Sequence, residues 1–248
     1  MSFLAQPNLP ERVALGLVSG WKTFRKFGMN ADIAAGTEHM WPVGTARVLP
    51  TTSTVAACVS SSTADDSAAV GTGAWTIQLE GLDANGRFQT EVVALDGQVS
   101  VNGVKTFSRI NRAYVLTAGT GEINAGNISI SLDTGKLQAY IEAAEGQTHQ
   151  VLFTVPSDKT LLINRLSMGT GRLNTVDLAV LIQIKPSSAN SSWRSIADIQ
   201  PYESSFVNEG AVLLPASTEV RAVIVASGAG EAFCILSGYE IDPDRYDV

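Results

Sequence analysis

The sequence predicts an all-β protein with two domains of the β-sandwich or jelly-roll type and an irregular N-terminal arm. Short runs alternate between apolar and polar residues, turn-forming residues separate them, and long stretches with helical periodicity are lacking. The length of 248 residues is enough to bury a sizeable core. We expect an arm over residues 1–30, a first β domain over 31–134 and a C-terminal β-sandwich domain over 135–248.

The clearest β signal is a hairpin with strands at residues 74–82 and 87–95. The tetrapeptide Asp-Ala-Asn-Gly lies between them, and Asn-Gly adopts positive φ at low cost. In the return strand, alternation places Phe88 and Val92 on the face opposite Gln89 and Glu91. This hairpin opens a meander that continues through strands near residues 107–118 and 127–133.

A second all-β unit begins near Gly135. Short runs read as strands, and clusters of Pro, Gly, Ser, Asp and Asn separate them. The runs are 137–141, 148–155, 160–168, 176–184, 192–199, 219–226 and 232–239. This spacing is typical of a sandwich or a jelly roll.

The N-terminal segment lacks clean periodicity. A helix of one or two turns after Pro10 would be marginal by itself. Residues 21–41 hold too many large aromatic groups for a solvated linker, so we expect an irregular segment that caps the first β domain. The sharper alternative is that some of these side chains anchor into a partner protein, as aromatic residues do at interfaces. The candidate partner-binding residues are Trp21, Phe24, Arg25, Phe27 and Trp41.

The charge distribution favours protein partners over nucleic acid. A net charge of −7 and a pI near 4.8 argue against phosphate binding as the main task. Residues 1–30 carry +3, which leaves −10 for the remainder. A basic arm on an acidic body suits docking to an acidic protein surface, and a solvated tail with incidental lysines is an equal alternative.

Catalytic and metal-binding chemistry are not indicated, and we expect no enzyme, cofactor or metal site. His39 and His149 are the only histidines, and neither lies in a zinc or nucleophile motif. His39 is interpreted as a packed or surface residue. Asp65-Asp66 has no calcium-loop spacing and is interpreted as a solvated pair. The run GTGEINAG at 119–126 leads into a strand, so it lacks the helix N-terminus of a phosphate cradle.

Cys58 and Cys234 lie in apolar stretches and are expected to be buried free thiols. No segment approaches the roughly 20 apolar residues of a membrane span, and the N-terminus does not resemble a signal peptide. We therefore expect neither membrane insertion nor translocation. An aromatic platform for a glycan is an alternative that we do not favour over separate core positions; its residues would be Trp193, Tyr202 and Phe206.

Three segments resemble the N-terminal module of virion structural proteins from tailed bacteriophages. They are FGMNADIAAGTEHMW at 27–41, GLDANGRFQTEVVALDG at 81–97 and FSRINRAYVLTAGTGEINAGNISI at 107–130. In that module an FGxNxDI…W start precedes a GLDAN hairpin and an RINRA strand. The segment GQTHQVLFTVPSDKTLLINRLS at 146–167 resembles the β-sandwich that often follows. The chain departs from the pattern at Gly86, where a bulky aromatic residue is common.

The resemblance implies a non-enzymatic structural role in the virion, with synthesis in the host cytoplasm. Such proteins resemble capsid decoration or head-fibre components, which are often trimers that clamp neighbouring capsid subunits. Others are tail, collar or baseplate adaptors. We expect a homotrimer on the capsid exterior that docks through its N-terminal arm to other virion proteins. A tail component and a host-glycan-binding module are the alternatives. Arg109 and Arg112 of the RINRA strand are expected to anchor carboxylates within the fold, and carboxylates across an interface are the alternative.

Overall fold

A computed structural model describes residues 8–62, 65–170, 178–187, 191–199 and 205–243. The described residues are 58% strand and 3% helix, which confirms the all-β class. One short helix, α1 (Leu9–Ala14), precedes the strands. The strands in chain order are β1 (Trp21–Ile33), β2 (Gly36–His39), β3 (Thr54–Ser60), β4 (Ala74–Leu82), β5 (Phe88–Ala94), β6 (Val101–Phe107), β7 (Arg109–Ala118), β8 (Ile128–Leu132), β9 (Lys136–Ile141), β10 (Leu152–Thr154), β11 (Thr160–Thr170), β12 (Leu178–Lys185), β13 (Arg194–Ile199), β14 (Ser205–Leu214), β15 (Glu219–Ala226) and β16 (Gly230–Ile241).

The strands form four antiparallel sheets. The first has the order β1-β16-β11-β14, and the second has the order β10-β15-β12-β13 with β2 also paired to β15. The third is β6-β3-β8-β9, and the fourth is β5-β4-β7. The four small sheets have a four-bladed, propeller-like arrangement, and two separate sandwich domains are not clearly present. The domain boundaries at residues 30 and 134 stay predictions.

The irregular course expected for residues 21–41 is wrong for its first part. Residues Trp21–Ile33 form β1, which pairs with β16 from Trp21 opposite Ile241 to Ile33 opposite Gly230. Alternation is hidden because both faces of β1 carry aromatic residues: Phe24 lies on one face, and Trp21 and Phe27 lie on the other. The N-terminal part of the chain is therefore built into the same sheet as the C-terminal part.

Two apolar clusters form the core. Strands of the first and second sheets bury one cluster, which includes Phe153, Ile224 and Leu236. Strands of the third and fourth sheets bury the other, which includes Ile77 and Ile130. The register of the sheets aligns these side chains on their inner faces, so apolar burial stabilises both clusters.

Each cluster also contains one cysteine, and both thiols are free and buried as predicted. Burial raises the pKa of the Cys58 thiol to about 12, with a smaller contribution from Glu91. Burial likewise raises the pKa of the Cys234 thiol. Both side chains therefore act as small apolar groups at neutral pH.

Helix α1 is short, and capping and packing hold it in place. Asn8 accepts a hydrogen bond from the backbone N–H of Glu11, and the Glu11 carboxylate accepts one from the backbone N–H of Asn8. Val13 is buried against Tyr239 and Ile241 of β16. Among the described residues, no helix is both long and apolar enough to cross a membrane.

Candidate functional site

The RINRA strand, β7, joins the two buried clusters through its asparagine. Asn111 donates from Nδ2 to the carbonyl of Thr154 at 2.9 Å and accepts the Thr154 N–H at 3.0 Å. Thr154 is the last residue of β10, which belongs to the second sheet. The Asn111 side chain thus takes the place of a backbone partner for β10 and ties it to β7.

Both arginines of the RINRA strand contact carboxylates of this chain. Arg109 donates from Nη2 to Oε1 of Glu219 at 2.9 Å. Nη1 of Arg112 lies 3.7 Å from Oε2 of Glu80, and its Nη2 donates to Oε1 of Gln147 at 3.0 Å. The prediction that these arginines anchor carboxylates within the fold is confirmed.

Two further cations pack against the carbonyls of this strand. Lys26 of β1 donates through Nζ to the carbonyl of Asn111. Arg47 donates through Nη1 to the carbonyls of Ile110 and Leu152, each at 3.1 Å. Burial, followed by the nearby charge of Arg112, lowers the pKa of Lys26 to about 7. Burial also lowers the pKa of Arg47 to about 10. The joint between the clusters is therefore rich in positive groups.

The tip of the GLDAN hairpin contacts the chain itself. Asp83 Oδ1 accepts the N–H groups of Asn85 at 2.8 Å and Arg87 at 2.9 Å, which closes the turn. Ser157 then donates its N–H to the Gly86 carbonyl at 2.7 Å and its hydroxyl to the Asn85 carbonyl at 2.8 Å. Gly86 has φ of 75°, and a Cβ there would lie 3.1 Å from the Ser157 Cβ. This close approach explains why a glycine occupies the position.

The FGMNADI…W segment builds the corner between β1 and β2. Asn30 is buried and donates from Nδ2 to Glu38 Oε2 at 2.6 Å. The other oxygen of Glu38 accepts the Ala34 N–H at 2.9 Å. Trp41 is only 1% exposed, and its Nε1 donates to the Thr45 carbonyl at 2.8 Å. The polar residues of the motif satisfy backbone groups of the corner, so their role is structural.

The predicted partner-binding residues do not form one exposed site. Trp41 lies in the core, where a partner cannot reach it without a rearrangement. Arg25 is exposed on β1. The other three are half-buried and pack on rings of this chain; the pairs are Trp21 with Tyr239 at 5.6 Å, Phe24 with Phe153 at 5.2 Å, and Phe27 with His149 at 4.8 Å between ring centres. Partner binding by these residues stays a prediction.

Asp66 is fully buried, so the interpretation of Asp65-Asp66 as a solvated pair is wrong for this residue. Its Oδ1 accepts the N–H groups of Ala74 and Ala125, both at 2.7 Å. Its Oδ2 accepts the Gly126 N–H at 2.8 Å and the Ser60 hydroxyl at 2.6 Å. Two backbone donors of the GTGEINAG loop, the N–H groups of Ala125 and Gly126, are therefore occupied by an internal carboxylate. In the part of the chain that the structure describes, no group of three or more metal-ligating residues occurs.

Two exposed apolar surfaces are not evident from the sequence pattern. The first, the β5–β6 surface, consists of β5, β6 and the connection between these two strands of different sheets, and it displays Phe88, Val92, Val99 and Val104. Alternation correctly places Phe88 and Val92 on one face of β5, but that face is exposed, and Val93 is the β5 residue that enters the core. Val93 and Leu95 continue the same alternation with the opposite phase, and this is the signal in the sequence that could have indicated the buried face.

Polar side chains of β5 hold the neighbouring strand instead of turning to solvent. Gln89 donates from Nε2 to the Thr106 carbonyl at 2.6 Å. Glu91 accepts the N–H groups of Val104 at 2.5 Å and Lys105 at 3.2 Å, where the register between β3 and β6 shifts. These bonds occupy backbone groups of β6 that could otherwise pair with another strand. A partner would therefore meet the exposed side chains of the β5–β6 surface.

The second exposed surface is the N-terminal segment over residues 8–20. Leu15 and Leu17 are 67% and 60% exposed directly after α1, and Leu9 is 45% exposed at its start. The adjacent Val13 is buried and fixes this segment to β16. Within the described residues, this short segment is the part of the predicted arm that precedes β1.

No protein-family model matches the chain, and no curated protein is similar enough to match it. Solved structures of infectious bursal disease virus show a weak likeness. The Gt strain structure has 9% identity and a TM-score of 0.28, with 91% of this chain and 72% of that chain covered. The VP2 subviral particle has 8% identity and a TM-score of 0.23, with 93% and 74% covered. At such TM-scores the likeness carries no argument about this chain.

Proposed function

We propose that the chain is a non-enzymatic structural protein of a tailed-bacteriophage virion, and that it decorates the capsid exterior as a cement or head-fibre protein. The resemblance of three segments to virion proteins supports this proposal. The structure adds that these segments interlock: residues next to one motif bond to another, as Lys26 does to Asn111. They build a framework, and the surfaces around it are free to meet other chains.

The observation that carries the docking role is the N-terminal segment with its exposed leucines. A fully buried leucine is worth roughly 1.5–3 kcal/mol, so residues about half exposed gain about 1 kcal/mol each on docking. That gain is small for one chain. A homotrimer presents three copies at once, and linked contacts convert weak docking into stable attachment. The exposed β5–β6 surface then supplies contacts between copies around the symmetry axis.

The experiment is attachment to phage particles produced without this protein. Deletion of residues 1–20 is the correct truncation, because residues 21–30 belong to β1 and their removal would open the first sheet. We expect the truncated protein to fold and to be lost from particles. A Leu15→Ser, Leu17→Ser double variant should be depleted as well. Val70→Ser is the matched control, since Val70 is 83% exposed in the loop before β4. Full attachment of the truncated protein would show that the segment is not the anchor.

Location on the particle separates the main proposal from a tail, collar or baseplate adaptor. Cryo-electron microscopy of purified virions should show density for this protein on the icosahedral shell. Density confined to the tail would replace the capsid assignment by the adaptor role. Either result would leave the structural role in the virion intact, whereas absence from purified virions would contradict it.

The glycan-binding alternative gains no support from the described residues. Arg221 covers one face of the Trp193 ring, with its Cζ 3.9 Å from the ring centre. Tyr202 and the side chain of Phe206 lie outside the described residues. A glycan array is the direct measurement, and saturable binding that Trp193→Ala abolishes would favour the alternative.

A further inference from the structure

A cavity of about 210 Å³ lies beside the second sheet and is lined by basic side chains. Arg221 of β15 and Lys185 at the end of β12 contribute two charges, and Arg47 contributes a third. Glu219 is the acidic residue among the described lining; its Oε1 is paired with Arg109, and its Oε2 is buried without a hydrogen-bond partner among the described residues. The cavity therefore concentrates positive charge in a protein whose net charge is −7. Such a focus attracts a negative group.

The guanidinium of Arg221 is held in a fixed plane. It stacks on Trp193, and its Nε donates to Gln183 Oε1 at 2.9 Å. Nη1 and Nη2 form the remaining edge of the group. That edge matches the two oxygens of a carboxylate, which Arg binds through two parallel hydrogen bonds. Stacking lowers the conformational entropy lost when such a pair forms.

One residue in the lining of the same cavity has a buried polar atom without a partner among the described residues. His39 is 7% exposed and lines the cavity, and its Nδ1 has no hydrogen-bond partner among the described residues. Burial, then the charges of Arg221 and Arg47, lower the pKa of His39 to about 4, so the ring is neutral at pH 7. A neutral ring with its proton on Nδ1 can donate to an anion. An unpaired buried group of this kind is costly unless something satisfies it.

The size of the cavity restricts the ligand. At roughly 30 Å³ per water molecule, it holds the volume of about seven waters, which suits one acidic side chain. A larger cavity of about 470 Å³ shares Lys185 and Glu219 with it and gives room for flanking residues. A sugar ring would stack on an aromatic face, but Arg221 covers one face of Trp193. These features favour a peptide over a glycan.

We propose that this basic cavity, lined by Arg47, Lys185, Arg221, His39 and Trp193, binds an Asp or Glu side chain from an acidic segment of a partner protein. The acidic segment belongs to another virion protein if the proposed virion role holds, and binding to the cavity depends on that role in no other respect. The chain would then have two basic sites for an acidic partner surface: this cavity and the N-terminal arm.

The test uses the purified full-length protein and synthetic peptides in isothermal titration calorimetry at low salt. The probe is a blocked hexaglutamate peptide, and the matching hexaglutamine peptide is the uncharged control. We expect saturable binding of hexaglutamate alone, weakened by added salt because the contact is ionic. Arg221→Gln and Lys185→Gln should each weaken binding by about tenfold or more. Arg165→Gln removes an exposed arginine on β11 and should change it less than about twofold.

Several outcomes overturn the proposal: no binding of hexaglutamate by the wild type, equal binding by the Arg221 and Lys185 variants, or tighter binding of N-acetylneuraminic acid or inorganic phosphate. If Arg221→Gln does not fold, two other measurements test the proposal. Lys185→Gln should bind hexaglutamate more weakly, and the imidazole NMR signals of wild-type His39 should shift when the peptide binds. Because no particle is involved, failure here leaves the virion role standing. Peptide binding without attachment to particles would contradict the virion role alone.

Discussion

Replacement of Asp66 by Asn tests whether an internal carboxylate organises the loops of the first half of the chain. Asp66 has no exposed surface and accepts hydrogen bonds from three backbone N–H groups and one hydroxyl. It thus ties the start of β4 to the loop before β8. An Asn side chain has nearly the same shape, so the change removes charge and one acceptor without creating a cavity.

The magnitude follows from the donors that an amide can satisfy. With its oxygen at the position of Oδ1, the substituted amide would keep the N–H groups of Ala74 and Ala125. Its NH2 group would then face the Gly126 N–H, while the Ser60 hydroxyl can rotate and accept. One buried N–H therefore loses its acceptor, which costs about 1–3 kcal/mol. The remaining bonds lose their charge assistance, which adds about 1 kcal/mol. We expect the free energy of unfolding to fall by about 2–4 kcal/mol.

Equilibrium urea unfolding, followed by tryptophan fluorescence, measures this loss. A fall of about 3 kcal/mol also predicts a Tm lower by roughly 6–12 °C for a chain of this size. The neighbouring Asp65→Asn is the matched control, because the Asp65 side chain accepts the hydroxyls of Ser62 and Thr72 in exposed positions. Its cost should stay below about 1 kcal/mol. If the two variants lose the same free energy of unfolding, the hydrogen bonds of Asp66 do not stabilise these loops more than those of Asp65 do.

Three further predictions concern the joint and the core. Burial lowers the folded pKa of Lys26 to about 7 from 10.5, so the unfolded chain takes up this proton first as pH falls. Burial of Lys26 therefore lowers the free energy of unfolding increasingly as the pH falls from about 10 to 7, and by a constant amount below about pH 7. The free energy of unfolding gained by Lys26→Met should follow the same trend when urea unfolding is measured at several pH values. Asn111→Ala should cost about 2–4 kcal/mol in the same assay by stripping two backbone groups of β10, against less than about 0.5 kcal/mol for the exposed Asn102→Ala. Trp41→Ala should cost about 3–5 kcal/mol, and a small loss would show that this tryptophan is not a core residue.

The local β structure is predictable where turn chemistry and alternation agree. The hairpin around Asp83 and Gly86 follows from its Asn-Gly turn, and the alternating run before Asp133 is β8. The sequence also predicts that Arg109 anchors a carboxylate inside the fold. Its partner Glu219 cannot be named in advance, because the two residues lie 110 positions apart and no local pattern links them.

The failures have physical causes in residues that serve two surfaces. Strand β1 is not recognisable from its pattern, since its two faces both carry aromatic side chains. The outward face of β5 is apolar because Gln89 and Glu91 satisfy the backbone of β6, and this leaves Phe88 and Val92 exposed. Asp66 resists prediction because two of its three N–H donors come from a loop 59 and 60 positions away. In each case the deciding contact is nonlocal.

Several residues of the segments that resemble virion proteins make contacts within this chain. The tip at Gly86 meets Ser157, the RINRA strand clamps β10 through Asn111, and Trp41 is in the core. A side chain that is occupied by such a contact within the chain is not available to bind a partner. The proposed partner contacts therefore fall on side chains that these joints leave accessible: the leucines after α1, Phe88 and Val92, and the basic cavity at Arg221. We expect substitutions at these surfaces to change partner binding and to leave the framework intact.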